Sequence, residues 1–408
     1  MKVRLSFLEK RQAAQLGLLP ARINPIIIVP GLLGTWPPAP APLGRIDPVG
    51  GVYANLLDGL RTLGYVRNVS LFVFPYDWRL SIVDAAHKLD AEIQRIRNLP
   101  TLKAGERSPV AVDYNLVDLL GHSLGGLVAR AYVQADHYKN DVARLLTVAT
   151  PHKGLMAAYY AWEGGDSSYI GVPVEAARSM VSLIEAREMS TLWKRAHTTY
   201  RVVRKQIQAD LYNYLTTRTH SIRDLLPTSA EQYLYCLEAD NQKRYYPFGP
   251  KPGYPLNPTL ERLNSPPYLQ RFKDLEEFHL LYSSSNRTLA RAVVADEYAK
   301  TNPMFAHGQP LPDQPEENFS GGDNIVPISS GSLDLPAALT IDLPLQRTDL
   351  SKLLDTPLNH VEVVGDPGPV RYILSVVARH PDPSQITAHI WDGPRVNTRR
   401  PNVAALFR

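Results

Sequence analysis

The chain has 408 residues, 44% of them apolar and 21% charged, so it can bury a sizeable core and is not disordered throughout. Lys and Arg number 44 against 40 Asp and Glu, a net charge of +4, too small a surplus to argue for a nucleic-acid partner. Cys236 is the single cysteine, which excludes an internal disulfide and a multi-cysteine metal site, while the 35 prolines predict long, stiffened loops.

The N-terminal MKVRLSFLEKRQAAQLG carries charges where a signal peptide needs an unbroken apolar run. No window approaches the ~18 apolar residues of a membrane helix. With one cysteine, a reducing cytoplasm is the simplest compartment, and peripheral membrane contact stays open. Asn24–Val29 is a short β-branched run closed by Pro30-Gly31, the pattern of a buried parallel strand. The Pro-rich loop from Thr35 to Pro48 is too stiff for a helix. Leu56, Leu57, Leu60 and Leu63 predict a helix, Ser70–Phe74 a strand, and Leu89, Ile93 and Ile96 another helix. Leu116–Leu120 then reads as strand, Gly125–Gln134 as helix and Arg144–Ala149 as strand. Such alternation means a parallel, doubly wound sheet.

The rhythm breaks after Gly154. Residues 155–272 carry helical patterns and Pro-rich loops with little strand signal, and 12 of the 21 tyrosines. Strand character returns at Phe278–Tyr282 and Ala337–Ile341, and a last helix fits Val370–Val377. The stretch AVVADEYAK around Asp296 reads as helix-like. The predicted organisation is a first core segment over 1–154 with a lid over 35–50, a cap over 155–272, a second core segment over 273–378, and a Pro- and Arg-rich tail over 379–408.

Gly121-His122-Ser123-Leu124-Gly125 is the chain's G-x-S-x-G match, with a strand running into it and an amphipathic helix leaving it. A serine on so sharp a turn needs small residues two positions either side, where strand and helix backbones pack closely. The turn exposes the hydroxyl above the sheet's carboxyl edge and sets the Leu124 N–H at a helix N-terminus, able to stabilise an oxyanion. The second oxyanion donor is expected in the loop after the first core strand, Pro30-Gly31-Leu32-Leu33-Gly34, at the N–H of Leu32. An acid and then a histidine should follow the serine. Asp323, in the tight SGGDNIVP loop, is the candidate acid; Asp296 and Asp313 compete with it. Of the histidines beyond Asp323, His360 lies in the loop TPLNH before the last helix, whereas His380 precedes a proline and His389 lies in the tail. His360 is the candidate base. His152 sits at a strand end before any acid and reads as structural or pocket-lining. No grouping has metal-ligand spacing and no phosphate loop is present, so neither metal nor cofactor is expected.

Taken together, VPGLLG (29–34), FPYDWR (74–79), GHSLGG (121–126), ATPHKG (149–154), GGDNIVP (321–327) and Asn359-His360 resemble the lecithin:cholesterol acyltransferase family. The resemblance spans about Ile26 to Gly365. It implies an α/β-hydrolase fold with a large, mainly helical cap and serine-dependent acyl transfer on lipid esters, by hydrolysis or to an alcohol. It carries the triad to Ser123, Asp323 and His360 and the oxyanion donors to Leu32 and Leu124. Asp77 and Trp78 are expected to anchor or shape the pocket rather than move protons. The chain departs from extracellular relatives in lacking their disulfides, so its lid region TWPPAPAPLG is cysteine-free. Within the cap, Leu192, Ala196, Val203, Ile207, Leu211 and Tyr214 form an apolar stripe flanked by Lys194, Arg195, Arg201, Arg204 and Lys205, a pattern that fits either an anionic lipid surface or a solvated helix face. A broad carboxylesterase and a non-catalytic lipid-binding protein of the same fold are the alternatives.

Overall fold

The computed structural model describes residues 20–36, 45–46, 51–168, 200–238, 240–245, 257–295, 304–335, 340–343 and 359–379. Most of the expected lid, His380, His389, Asp296 and the tail beyond Arg379 lie outside the described residues. So do Leu192 and Ala196 of the cap stripe and the side chains flanking it.

Ile26–Val29 (β1) has all four residues buried, as a strand covered on both faces must. It sits inside a six-stranded sheet with Leu71–Val73 (β2), Val117–His122 (β3), Val142–Val148 (β4), Glu277–Tyr282 (β7) and Thr340–Asp342 (β12). The order is β12-β7-β4-β3-β1-β2, and every neighbouring pair is parallel. From β1 the chain winds one way to β2, then back past β1 to β3 and on to β4. Right-handed crossovers therefore put Ala54–Leu63 (α1) on one face and Ile82–Arg97 (α2) and Leu124–Val133 (α3) on the other. The packing agrees: α2 lies against α3, and α1 lies against the C-terminal helices Asn359–Gly365 (α10) and Pro367–Ala378 (α11). The winding reverses between β1 and β3, leaving a crevice at their carboxyl ends where ligands of open α/β sheets bind.

The opposite, amino edge is closed by a buried ion pair. Arg144 of β4 meets Asp118 of β3 at 2.6 Å, both nearly inaccessible. Its other nitrogen donates to the carbonyls of Val376 and Val377, satisfying the last turn of α11.

After β4 come Met156–Gly164 (α4), Tyr200–Arg218 (α5) and His220–Arg223 (α6), then the strands Leu234–Leu237 (β5) and Lys243–Tyr245 (β6), then Pro258–Leu263 (α7) and Pro266–Leu269 (α8). β5 pairs with β6 and, in parallel, with Ala292–Ala295 (β9), which pairs in turn with Gln309–Pro310 (β10). The AVVA of the helix-like stretch is therefore a strand. A four-residue apolar run has no period of its own, and pairing with β5 decides it. Asn286–Leu289 (β8) and Phe319–Gly322 (β11) form an antiparallel pair, and Ile328–Ser332 (α9) follows it. No helix among the described residues is long and apolar enough to cross a membrane.

Candidate active site

Ser123 stands where β3 ends and α3 begins, with φ 53° and ψ −126°. For a residue with a side chain this backbone is strained by ~1–3 kcal/mol. The packing around it over-determines the turn. A Cβ on Gly125 would lie 2.1 Å from the Val29 carbonyl oxygen, and one on Gly121 2.5 Å from the Gly126 Cα. The small residues two positions either side are thus required by the backbones themselves. Ser123 occupies the N-cap of α3 without using its hydroxyl as a cap. That hydroxyl is engaged elsewhere.

His360 Nε2 lies 2.9 Å from Ser123 Oγ, and His360 Nδ1 lies 2.7 Å from Asp323 Oδ2. All three side chains are buried, Asp323 to 1% exposure. The other carboxylate oxygen of Asp323 accepts the N–H groups of Ile325 and Val326, at 3.0 and 2.7 Å. That fixes the plane of the carboxylate and leaves Oδ2 for the imidazole. The tautomer follows: Nδ1–H donates to Asp323, so Nε2 accepts the Ser123 O–H. His360 is in the first turn of α10, not in the expected loop. The helix that apolar spacing predicted over Val370–Val377 is α11, and α10 is a separate short helix before it that the spacing did not show. Asp313 is exposed on its loop, and the carboxylate on the His360 imidazole is that of Asp323.

The loop after β1 faces the serine. A Cβ on Gly31 would come within 2.9 Å of the Ser123 Cβ. Three donors hold this loop. Tyr76 O–H donates to the Pro30 carbonyl at 3.0 Å, the Gly31 N–H donates to the Tyr53 hydroxyl at 2.9 Å, and the Gly34 N–H donates to the Gly31 carbonyl at 3.0 Å. In a trans peptide the N–H points opposite the C=O. With the Gly31 carbonyl turned to Gly34, the Leu32 N–H is turned away from it. Among the described residues, neither Leu32 nor Leu124 donates its N–H to a protein acceptor. Two unpaired N–H groups flanking a serine are what an oxyanion requires.

The FPYDWR string supports this loop from β2. Trp78 Nε1 donates to the Thr35 carbonyl at 3.1 Å and the Tyr76 N–H to the Thr35 hydroxyl at 3.3 Å. Asp77 clasps Arg79 through both oxygens, at 2.9 and 2.8 Å. The geometry is that of anchors.

The family model described as lecithin:cholesterol acyltransferase matches residues 44–223. The matched stretch holds Ser123, Leu124 and the Tyr76–Arg79 string and ends before Asp323 and His360. It supports an enzyme of the esterase or acyltransferase kind. No curated protein matches the chain significantly. Among solved structures, the Tle4–Tli4 complex is similar at 16% identity over 86% of this chain and 73% of that one, with TM-score 0.42. The mature Bacillus licheniformis lipase BlEst2 is similar at 12% identity over 86% and 90%, with TM-score 0.40. The lin2722 product of Listeria innocua gives 11% identity, 86% and 93% coverage, and TM-score 0.33.

His152 is fully buried behind the site. Arg130 donates to its Nδ1 at 2.9 Å, and its Nε2 lies 3.0 Å from the Thr147 hydroxyl. Burial, and then the Arg130 charge, hold this imidazole neutral, well below its ordinary range. Arg130 also donates to the Leu263 carbonyl and the Asn264 side chain, tying α3 to the end of α7. Burial lowers the guanidinium to about 9. The role is architectural, as the sequence reading allowed for His152. Sequence reasoning missed Tyr53 and Arg130, which lie in no motif, and gave Tyr76 no role of its own although it stands in the FPYDWR string.

Proposed function

We propose that the protein is a serine-dependent acyl hydrolase or acyltransferase acting on lipid esters. The observation that carries this reading is the buried relay Ser123–His360–Asp323, with links of 2.9 and 2.7 Å, beneath two unpaired N–H groups. Ser123 Oγ attacks the ester carbonyl as His360 Nε2 takes its proton. The carbonyl oxygen gains charge toward the Leu32 and Leu124 N–H groups. The imidazolium returns the proton to the departing alcohol, and Asp323 stabilises it meanwhile. The acyl-enzyme on Ser123 then passes to water or to an alcohol.

In this reading residues 155–272 form the cap over the serine, within which Leu211 and Tyr214 are buried. An aromatic-rich cover suits acyl chains, and the family match supports lipid esters over small ones. A broad carboxylesterase would share every residue named and differ only in the acyl groups accepted. The test is labelling of one sample with a fluorophosphonate and, on a separate unlabelled sample, incubation with mixed phospholipid, acylglycerol and long-chain alcohol and mass spectrometry of the products. Wild type labels and Ser123→Ala does not. An unlabelled wild type sinks the reading. Free fatty acid alone as product assigns hydrolysis, and a new ester assigns transfer.

A further inference from the structure

His122 precedes the nucleophile and has no place in the relay just described, yet it is 3% exposed and wedged against it. Its ring lies 5.3 Å from that of His360, with Nε2 3.4 Å from the His360 carbonyl oxygen. Its Nδ1 lies 2.7 Å from the Tyr53 hydroxyl. That hydroxyl is the acceptor of the Gly31 N–H. These contacts admit a consistent proton arrangement. Nε2–H donates to the His360 carbonyl, which leaves Nδ1 an acceptor for the Tyr53 O–H, which leaves the Tyr53 oxygen an acceptor for Gly31. Were His122 charged, Nδ1 would become a donor, and the Tyr53 hydroxyl would face two donors. Burial, then the neighbouring His360, lowers His122 to about 3 and keeps it neutral.

From this chain of hydrogen bonds we infer that His122, acting through Tyr53, is a positioning residue that couples the oxyanion loop to the backbone of the general base. The inference rests on the hydrolase reading. The Pro30–Gly31 peptide is gripped at both poles, its carbonyl by Tyr76 and its N–H by Tyr53. The next N–H along the chain is that of Leu32, the oxyanion donor. Tyr53 stands at the entry to α1, His122 at the end of β3 and His360 in α10. Both halves of the machinery are thus registered against one small polar core. A buried polar network of this kind holds geometry when every member is satisfied and loosens when one is removed. A misplaced oxyanion donor weakens the transition state and leaves ester binding nearly untouched.

The experiment compares wild type, Tyr53→Phe, His122→Ala and His122→Asn for hydrolysis of a p-nitrophenyl ester and for inhibition by a trifluoromethyl ketone, whose adduct places an oxyanion in the hole. Rates are normalised to sites titrated with phosphonate, so unfolded protein does not count. Tyr53→Phe and His122→Ala lower kcat about tenfold, with KM within twofold, and weaken the ketone by the same factor. His122→Asn keeps an acceptor for the Tyr53 O–H at the Nδ1 position and stays within about threefold of wild type. Unchanged kcat and ketone affinity in Tyr53→Phe overturn the coupling, as does an asparagine variant no better than the alanine one. A wild type that neither hydrolyses the ester nor takes the label overturns the hydrolase reading and the coupling with it. Labelled wild type with unaffected variants overturns the coupling alone.

Discussion

Replacing Asp323 with asparagine removes one negative charge and no volume, and the surroundings dictate how the amide sits. Two backbone N–H groups, from Ile325 and Val326, point at Oδ1 at 3.0 and 2.7 Å. An amide turned with its NH2 toward them would forfeit both bonds at about 1–3 kcal/mol each. The amide oxygen therefore stays at Oδ1, and the NH2 faces His360 Nδ1 across what was a 2.7 Å contact. Nδ1 must become the acceptor, so the proton moves to Nε2, where it faces Ser123 Oγ at 2.9 Å. In this tautomer His360 cannot take the serine proton. The expected loss is about 10⁴-fold in kcat, or about 5.5 kcal/mol of transition-state stabilisation, with KM little changed. Hydrolysis of a p-nitrophenyl ester normalised to titrated sites measures it, and the exposed Asp313→Asn is the control with wild-type rate. An Asp323→Asn enzyme within tenfold of wild type refutes the tautomer argument and the acid assignment together.

His122 and His152 are both buried neutral, with His122 lowered to about 3 and His152 held well below its usual value. Their folded values lie below the unfolded ~6.5, so this stability is present above about pH 6.5 and is lost as pH falls from there through the folded values. His122 alone contributes up to about 5 kcal/mol over that window. Between pH 6.5 and 5.5, denaturant melts of His122→Asn should therefore fall by about 1 kcal/mol less than wild type, and equal slopes would contradict its buried neutral state. Gly125→Ala drives a methyl to 2.1 Å from the Val29 carbonyl oxygen. It should cost 3 kcal/mol or more, on the order of the largest point-mutant effects, and a variant with wild-type melting would show that the turn is looser than described. Asp118→Ala leaves the buried Arg144 with only the more distant Glu277 as a carboxylate partner, at 3.7 Å, and should cost about 3 kcal/mol, while the double change Asp118→Leu with Arg144→Met recovers most of it. A double variant as unstable as the single one would mean that the pair contributes more than its own desolvation.

What the sequence reveals depends on how local the constraint is. The β1 run IIIV and the GHSLG turn are legible because burial on both faces and the strand–helix elbow each impose residue types within a few positions. The relay to Asp323 and His360 is legible only because the fold's chain order narrows the choice. The strand LYCL and its partner AVVA were unreadable, since each is too short to show a period and their pairing spans segments separated by helices. His122 is the sharper case. It sits inside the most conspicuous string of the chain, yet its partners are Tyr53, 69 residues upstream, and the backbone of His360, 238 downstream. Nothing in the residue types near it distinguishes a filler from a coupling group. The distinction lies in a proton count that needs Gly31, Tyr53, His122 and His360 in view together. A site whose chemistry is local in sequence can thus depend on supports that are not, and the Tyr53–His122 link is where a change outside every motif should reach the reaction.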